Sequence, residues 1–184
     1  MNNKVIVGTL VGAILLFGWQ TLSWTSLGIH DEALKFSANQ DSIIQFLERN
    51  ISTPGQYLIP TVPPGSSETE MEAQSKIWEG RPWAIITFHD YRKVDMFTPV
   101  LKGMLIAILS VLMVNLVIRQ LRKTKFLPVF ATTLSFGLVS FFFVWYNNNI
   151  WFNTPWSVLW GELVDSVMGW SLCGAWLGLW YSRK

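Results

Sequence analysis

Three groups of residues have the types and spacing to do chemistry. Glu162 and Asp165 stand three apart in a long apolar segment, so they share one helical face, at roughly 9 and 14 Å along the axis from Trp156. A carboxylate in lipid is costly unless it is protonated, paired or hydrated, so the pair points either to proton or cation handling or to structural pairing with neighbouring helices. Lys102, one turn into a different apolar segment, is expected to snorkel toward the interface and pair with Glu162. His30-Asp31-Glu32 and His89-Asp90 flank the polar middle of the chain. If the two segments meet, imidazole and carboxylate make a set suited to zinc or another divalent metal. Surface histidines and helix-capping acids account for the same residues without a metal. The third group is Trp19, Trp24, Trp145, Trp151, Trp156 and Trp160, which form an interfacial indole belt or, with Asn147-Asn148-Asn149 and Asn153, a groove for a lipid headgroup or substrate.

The elements that must position these residues are set by composition. Of 184 residues, 51% are hydrophobic and only 14% charged, against about 25% in an ordinary soluble domain, which argues against a soluble enzyme. Four apolar segments account for the excess, at Val5–Ser23, Thr98–Ile118, Phe126–Tyr146 and Trp156–Tyr181, each reaching the roughly 20 residues that span a bilayer. The predicted fold is a membrane all-α bundle of four transmembrane helices with a small α/β extracytoplasmic domain inserted between the first and second. In domain terms, residues 1–23 form a retained signal anchor, 24–97 the extramembrane domain, and 98–184 a three-helix membrane region (98–118, 126–146 and 156–181).

Charge sets the orientation. Lys4, Arg119, Arg122, Lys123, Lys125, Arg183 and Lys184 fall at the two ends and in the loop between the second and third spans, with no acidic residue beside them. The positive-inside rule then predicts cytoplasmic termini, with residues 24–97 on the opposite, periplasmic side of a bacterial inner membrane. Within that domain a short alternating stretch at Ala33–Ser37 is expected as a strand. Asp41–Asn50 is expected as an amphipathic helix with Ile43, Ile44, Phe46 and Leu47 facing inward, Gln56–Ile59 as a strand, a helix opening at Ser67-Glu68-Thr69-Glu70, and Trp83–Phe88 as a strand. Three strands would make a three-stranded sheet.

Asn115 is a candidate for interhelical hydrogen bonding, and Gly8-xxx-Gly12 and Gly174-xxx-Gly178 for close helix contact, inside the bundle or against another subunit. Cys173 is alone, which rules out an intramolecular disulfide and reads as packing. No G-x-S-x-G, H-E-x-x-H, phosphate-binding or dinucleotide motif occurs, so no catalytic residue and no cofactor is predicted. Four basic residues in the loop at 119–125 are too few to suggest nucleic acid.

Ser23-Trp24, His30, Ala33 and Leu34, then Pro54-Gly55-Gln56-Tyr57-Leu58-Ile59-Pro60, and finally Asp165 with Gly169-Trp170, resemble a family of small bacterial four-span inner-membrane proteins without an assigned activity. The resemblance covers the first sixty and the last thirty residues and implies an inner-membrane location. Taken together, the expected function is that of a non-catalytic accessory or assembly subunit of a membrane complex, surrounded by lipid and bound to other membrane subunits or to further copies of itself. The alternatives are a small proton- or ion-coupled carrier using Glu162 and Asp165, and a periplasmic-face binder of lipid or metal.

Overall fold

The computed structural model describes residues 3–122 and 124–183, so Lys123 and Lys184, which contribute to the orientation argument, lie outside the described residues. The chain forms two compact units, one of residues 1–35 and 95–184, the other of residues 36–94. In the first unit, α1 (Asn3–Thr25), α4 (Phe97–Ile118) and a continuous helix over Phe126–Phe152 are long and apolar enough to cross a membrane. These three differ from the expected four. The last segment does form one unbroken helix, α7 (Trp156–Ser182), but Glu162, Asp165, four glycines and five indoles make it less apolar than the others.

Side-chain contacts fix how these helices run. Asn115 Nδ2 on α4 donates to Thr9 Oγ1 on α1 at 2.8 Å, and Gly103 at the other end of α4 lies against Phe17, so α1 and α4 are antiparallel. Helix α7 is antiparallel to α1 as well. Trp180 Nε1 donates to Lys4 O at 2.8 Å and Trp176 Nε1 to Gly8 O at 3.2 Å, while Trp19 meets Asp165 near the opposite end. Between them Val111, Val114, Cys173 and Leu177 are fully buried with Ala13. Both glycine stripes are used within the chain. Gly8 and Gly12 receive Trp180, Leu177, Val111 and Cys173, and Gly174 and Gly178 receive Phe130 and Phe126 of α5 (Phe126–Ser140). Such close contact is what holds helices together in lipid, where the hydrophobic effect gives no drive for association.

The third long helix overruns its expected end at Tyr146. After α5, residues Phe141–Tyr146 form a π-helical segment, and α6 (Asn147–Phe152) continues it. Asn147-Asn148-Asn149, expected in a loop, are therefore helical, because nothing between Gly137 and Phe152 breaks the helix. It stops where Asn153 takes a left-handed conformation (φ 48°), and Asn149 Nδ2 closes the turn on Thr154 O at 2.7 Å.

The second unit contains α2 (Gln40–Asn50), β1 (Gly55–Ile59), α3 (Glu68–Trp78) and β2 (Ala84–Phe88). β1 and β2 pair antiparallel from Gly55 opposite Phe88 to Ile59 opposite Ala84, giving a two-stranded sheet in place of the expected three. The missing strand, Ala33–Ser37, is a turn followed by irregular chain. Ala33 N–H bonds to His30 O at 2.9 Å, which closes a turn where the alternation suggested extended backbone. A second difference concerns α2. Its Ile43, Ile44 and Phe46 are exposed and Leu47 is half-buried, so the expected inward face meets no core. Helix α3 starts as its sequence predicts, with a capping box. Ser67 Oγ accepts the Glu70 amide, and the Glu70 carboxylate accepts the Ser67 amide at 2.8 Å and the Ser67 hydroxyl at 3.0 Å.

Two predictions follow from these contacts. A Cβ at Gly137 would lie 2.5 Å from the Ser166 carbonyl oxygen, a backbone atom with little room to yield. Gly137→Ala should therefore destabilise the full chain by about 1–3 kcal/mol, read as a lowered midpoint of thermal unfolding in detergent. In the capping box, the Ser67 backbone amide and then its hydroxyl hold the Glu70 carboxyl below the usual glutamate range. A lowered carboxyl pKa stabilises the fold above the ordinary value, and that stability is lost as pH falls through the lowered one. NMR of the full chain in micelles should show the first turn of α3 fraying over that acid window, and Glu70→Gln should abolish the pH dependence.

Candidate functional site

The chemistry expected of the intramembrane carboxylates centres on Asp165, and its main partner arrives from outside the helices. Past the end of α1, Leu27 N–H reaches back to Leu22 O at 3.1 Å, and Gly28 adopts φ +64°, a left-handed conformation that glycine takes without strain. The chain reverses and lays His30 against α7, where only 7% of the residue is exposed. One face of the imidazole stacks on Trp24, with centroids 3.9 Å apart and planes 10° from parallel. The other side meets Gly161, where a Cβ would sit 2.6 Å from the ring. Gly161 is thus the space that His30 fills.

His30 Nε2 lies 3.1 Å from Asp165 Oδ2 and 3.1 Å from Ser23 Oγ. With its proton on Nε2, the ring donates toward both oxygens, and Trp19 Nε1 donates to the remaining Asp165 oxygen, Oδ1, at 3.0 Å. Both oxygens of Asp165 are therefore bonded, and its carboxylate is stabilised by a ring that is itself sandwiched in place. Serine, histidine and aspartate are the members of a hydrolytic triad. The geometry differs, because Ser23 and Asp165 address the same ring nitrogen and Ser23 is 1% exposed, whereas a relay needs the two nitrogens on opposite partners and an accessible hydroxyl. The cluster is built to hold α1, the following turn and α7 together.

Beside this cluster, at the same end of the helices, lies a cavity of about 440 Å³. Its charged and polar lining includes Lys102, Glu162, Asp165, Gln20, Ser110 and Ser140, while Trp19, Trp145 and Trp170 supply indoles and Leu16, Ile106 and Ala107 an apolar wall. The π-helical segment matters here. Its wider turn alters the direction of the side chains that follow α5, and Trp145 lies on it while Ser140 immediately precedes it. Lys102 and Glu162 share the cavity but form no ion pair, in contrast to the expected pairing; Lys102 is exposed on α4 and Glu162 half-buried on α7.

The other expected site residues fall elsewhere. Asn115 is fully buried and bridges α4 to α1 through Thr9. Trp151, Trp156 and Trp160 are exposed and have no part in the cluster or cavity, Trp24 is also exposed but stacks on His30, and Trp19 and Trp145 line the cavity. His89 belongs to the 36–94 unit, whereas His30 is engaged with Asp165 and Ser23 in the other. Among the described residues no three histidine, cysteine, aspartate or glutamate side chains gather around a common point where a metal would sit. The partnership of His30 with Asp165 was missed from the sequence, which grouped His30 with the nearer acids and with His89. The available signal was Gly161 one turn before Asp165 on the same face of α7, a gap that some bulky group must fill.

Asp165→Ala should leave the Trp19 and His30 donors without their acceptor and cost about 1–3 kcal/mol of stability, while Asp165→Asn, which keeps an acceptor for Trp19, should cost clearly less. Gly161→Ala should expel His30 and lower the midpoint even though it removes no bond directly. Thermal unfolding of the three purified full-length variants checks this order. The chain matches no family model, no curated protein and no solved structure.

Proposed function

We propose that the chain is a four-span protein of a bacterial inner membrane, with both termini cytoplasmic and residues 24–97 periplasmic, acting without catalysis of its own as an accessory or assembly subunit of a membrane complex. The three apolar helices support the membrane location, and the basic residues at the ends and in the 119–125 loop support the orientation. As a fourth span, α7 has the length: its 27 residues reach about 40 Å, and Asp165, the deeper of its two carboxylates, is bonded on both oxygens.

The accessory role is carried by one observation, the unfinished core of the 36–94 unit. Helices α2 and α3 contribute no buried residue, and the buried apolar residues of the unit are Ile51 and Phe88. A unit of about sixty residues is marginal even with a complete core, so one that leaves Phe46 65% exposed is suited to finishing its core against something else. Seven acidic residues against five basic ones between positions 36 and 94 disfavour an anionic lipid surface and favour a protein. A carrier cycling Glu162 and Asp165 together has less support, since release of Asp165 would break the hydrogen bonds of His30 and Trp19.

Maleimide labelling of Phe46→Cys in a Cys173→Ser background tests this reading. Labelling should be slow in native membranes, where a stoichiometric protein copurifies, and fast in the purified chain. Slow labelling that persists after reconstitution of the purified chain into lipid would assign the face to the bilayer instead, and fast labelling in native membranes would reject any docking.

A further inference from the structure

The cavity between α1, α4, α7 and the π-helical segment is lined by two opposite charges that are not paired with each other. Glu162 is half-buried and, among the described residues, no donor lies within hydrogen-bond distance of its carboxylate. Lys102 lines the same cavity and forms no ion pair with it. Asp165 accepts from Trp19 and His30, one on each oxygen, and its ion-pair partner is His30, not Lys102. Lys102 lies five residues into α4 and Glu162 six residues into α7, so the two charges sit at matching depths, about 7–9 Å from the helix ends. Half-buried Glu162 and exposed Lys102 put opposite charges on one cavity without pairing with each other, which suits a ligand that brings both signs.

We propose that this cavity binds a zwitterion carrying a phosphate and a primary ammonium, with the phosphate on Lys102 and the ammonium on Glu162, and that its source is the headgroup of an ethanolamine phospholipid. A simple anion would leave Glu162 uncompensated and face two carboxylates. A simple cation would leave Lys102 uncompensated. The volume of about 440 Å³ falls within the ordinary range for small-ligand sites. Gln20, Ser110 and Ser140 add polar groups, and three indoles line the wall, a surface that attracts ammonium ions. Leu16, Ile106 and Ala107 offer apolar contact suited to the start of an acyl chain, which favours the lipid over the free zwitterion. A primary ammonium donates hydrogen bonds to a carboxylate and a trimethylammonium does not, so the site should discriminate between ethanolamine and choline lipids.

This inference rests on the proposed membrane location, with α7 crossing beside the other helices, and is independent of the accessory role, since it concerns the helical unit alone. The test is native mass spectrometry of the full chain in nonionic detergent, titrated with phosphatidylethanolamine, phosphatidylcholine, phosphatidylglycerol and soluble phosphoethanolamine. One ethanolamine lipid should bind about tenfold more tightly than either other lipid, as expected for one hydrogen bond to a charged group. Glu162→Gln should erase the preference over choline lipid while leaving a weaker phosphate-dependent affinity. Lys102→Met should weaken all three lipids. Equal binding of the three lipids by the wild-type chain would overturn the proposal without recourse to any variant. So would an unchanged preference in Glu162→Gln with an unchanged unfolding midpoint. Competition by phosphoethanolamine at the affinity of the lipid would overturn the lipid source.

Discussion

A carboxylate in the interior of α7 must find partners, and much of the helical unit is arranged around how Asp165 finds them. Two donors are required, and each comes from a different part of the chain. Trp19 reaches it from α1, which fixes the antiparallel register of α1 on α7, and His30 reaches it only because the chain reverses at Gly28. The reversal in turn needs Gly161, since any side chain there would occupy the position of the imidazole. A single half-buried carboxylate therefore constrains a helix register, a turn conformation and a glycine that makes no bond of its own. Removing either donor is costly because the carboxylate that remains, largely out of solvent, loses a partner.

Glycine does a second kind of work along the rest of α7. Gly169, Gly174 and Gly178 let Leu16 and Trp19 approach from α1 and Phe130 and Phe126 from α5. On α1, Gly8 and Gly12 accept Trp180 and Cys173, and the indoles of Trp176 and Trp180 complete the contact by bonding α1 carbonyls. Large aromatic groups seated over small residues give close packing and hydrogen bonding at once, two of the sources of attraction open to helices in lipid. With its small-residue faces occupied internally, the helical unit has less need of another subunit than the 36–94 unit, whose apolar residues remain on the surface.

Much of the helical architecture is legible in the sequence because each segment is governed by its own composition. The apolar segments of α1 and α4, the Ser67–Glu70 cap of α3 and the strand at Gln56–Ile59 are local properties, and each element lies where the sequence predicts it to within a few residues. What was not legible depends on groups far apart in the chain. The pairing of His30 with Asp165 spans 135 positions, and the five-residue alternation at Ala33–Ser37 cannot reveal that its neighbour, His30, is drawn away to another helix. Helix α2 carries an amphipathic pattern, but a pattern states which side is apolar and not whether anything covers it. Lys102 and Glu162 were matched by depth along their helices, a coordinate that says nothing of the lateral distance between them.

The π-helical segment has a consequence for how the helix over Phe126–Phe152 is read. A π turn closes its hydrogen bonds over five residues where an α turn uses four, so each such turn inserts an extra residue into the helical phase. A helical wheel drawn through Phe126–Phe152 at 3.6 residues per turn is thus out of step beyond Tyr146, by about 100° for one residue. Val129, Thr133 and Gly137, which form one buried stripe, do not continue in that phase into Asn147–Phe152. Asn148 and Asn149 are half-buried there and Asn147 is exposed, whereas an unshifted wheel would place Asn147 on the line of Val129, about five whole turns earlier.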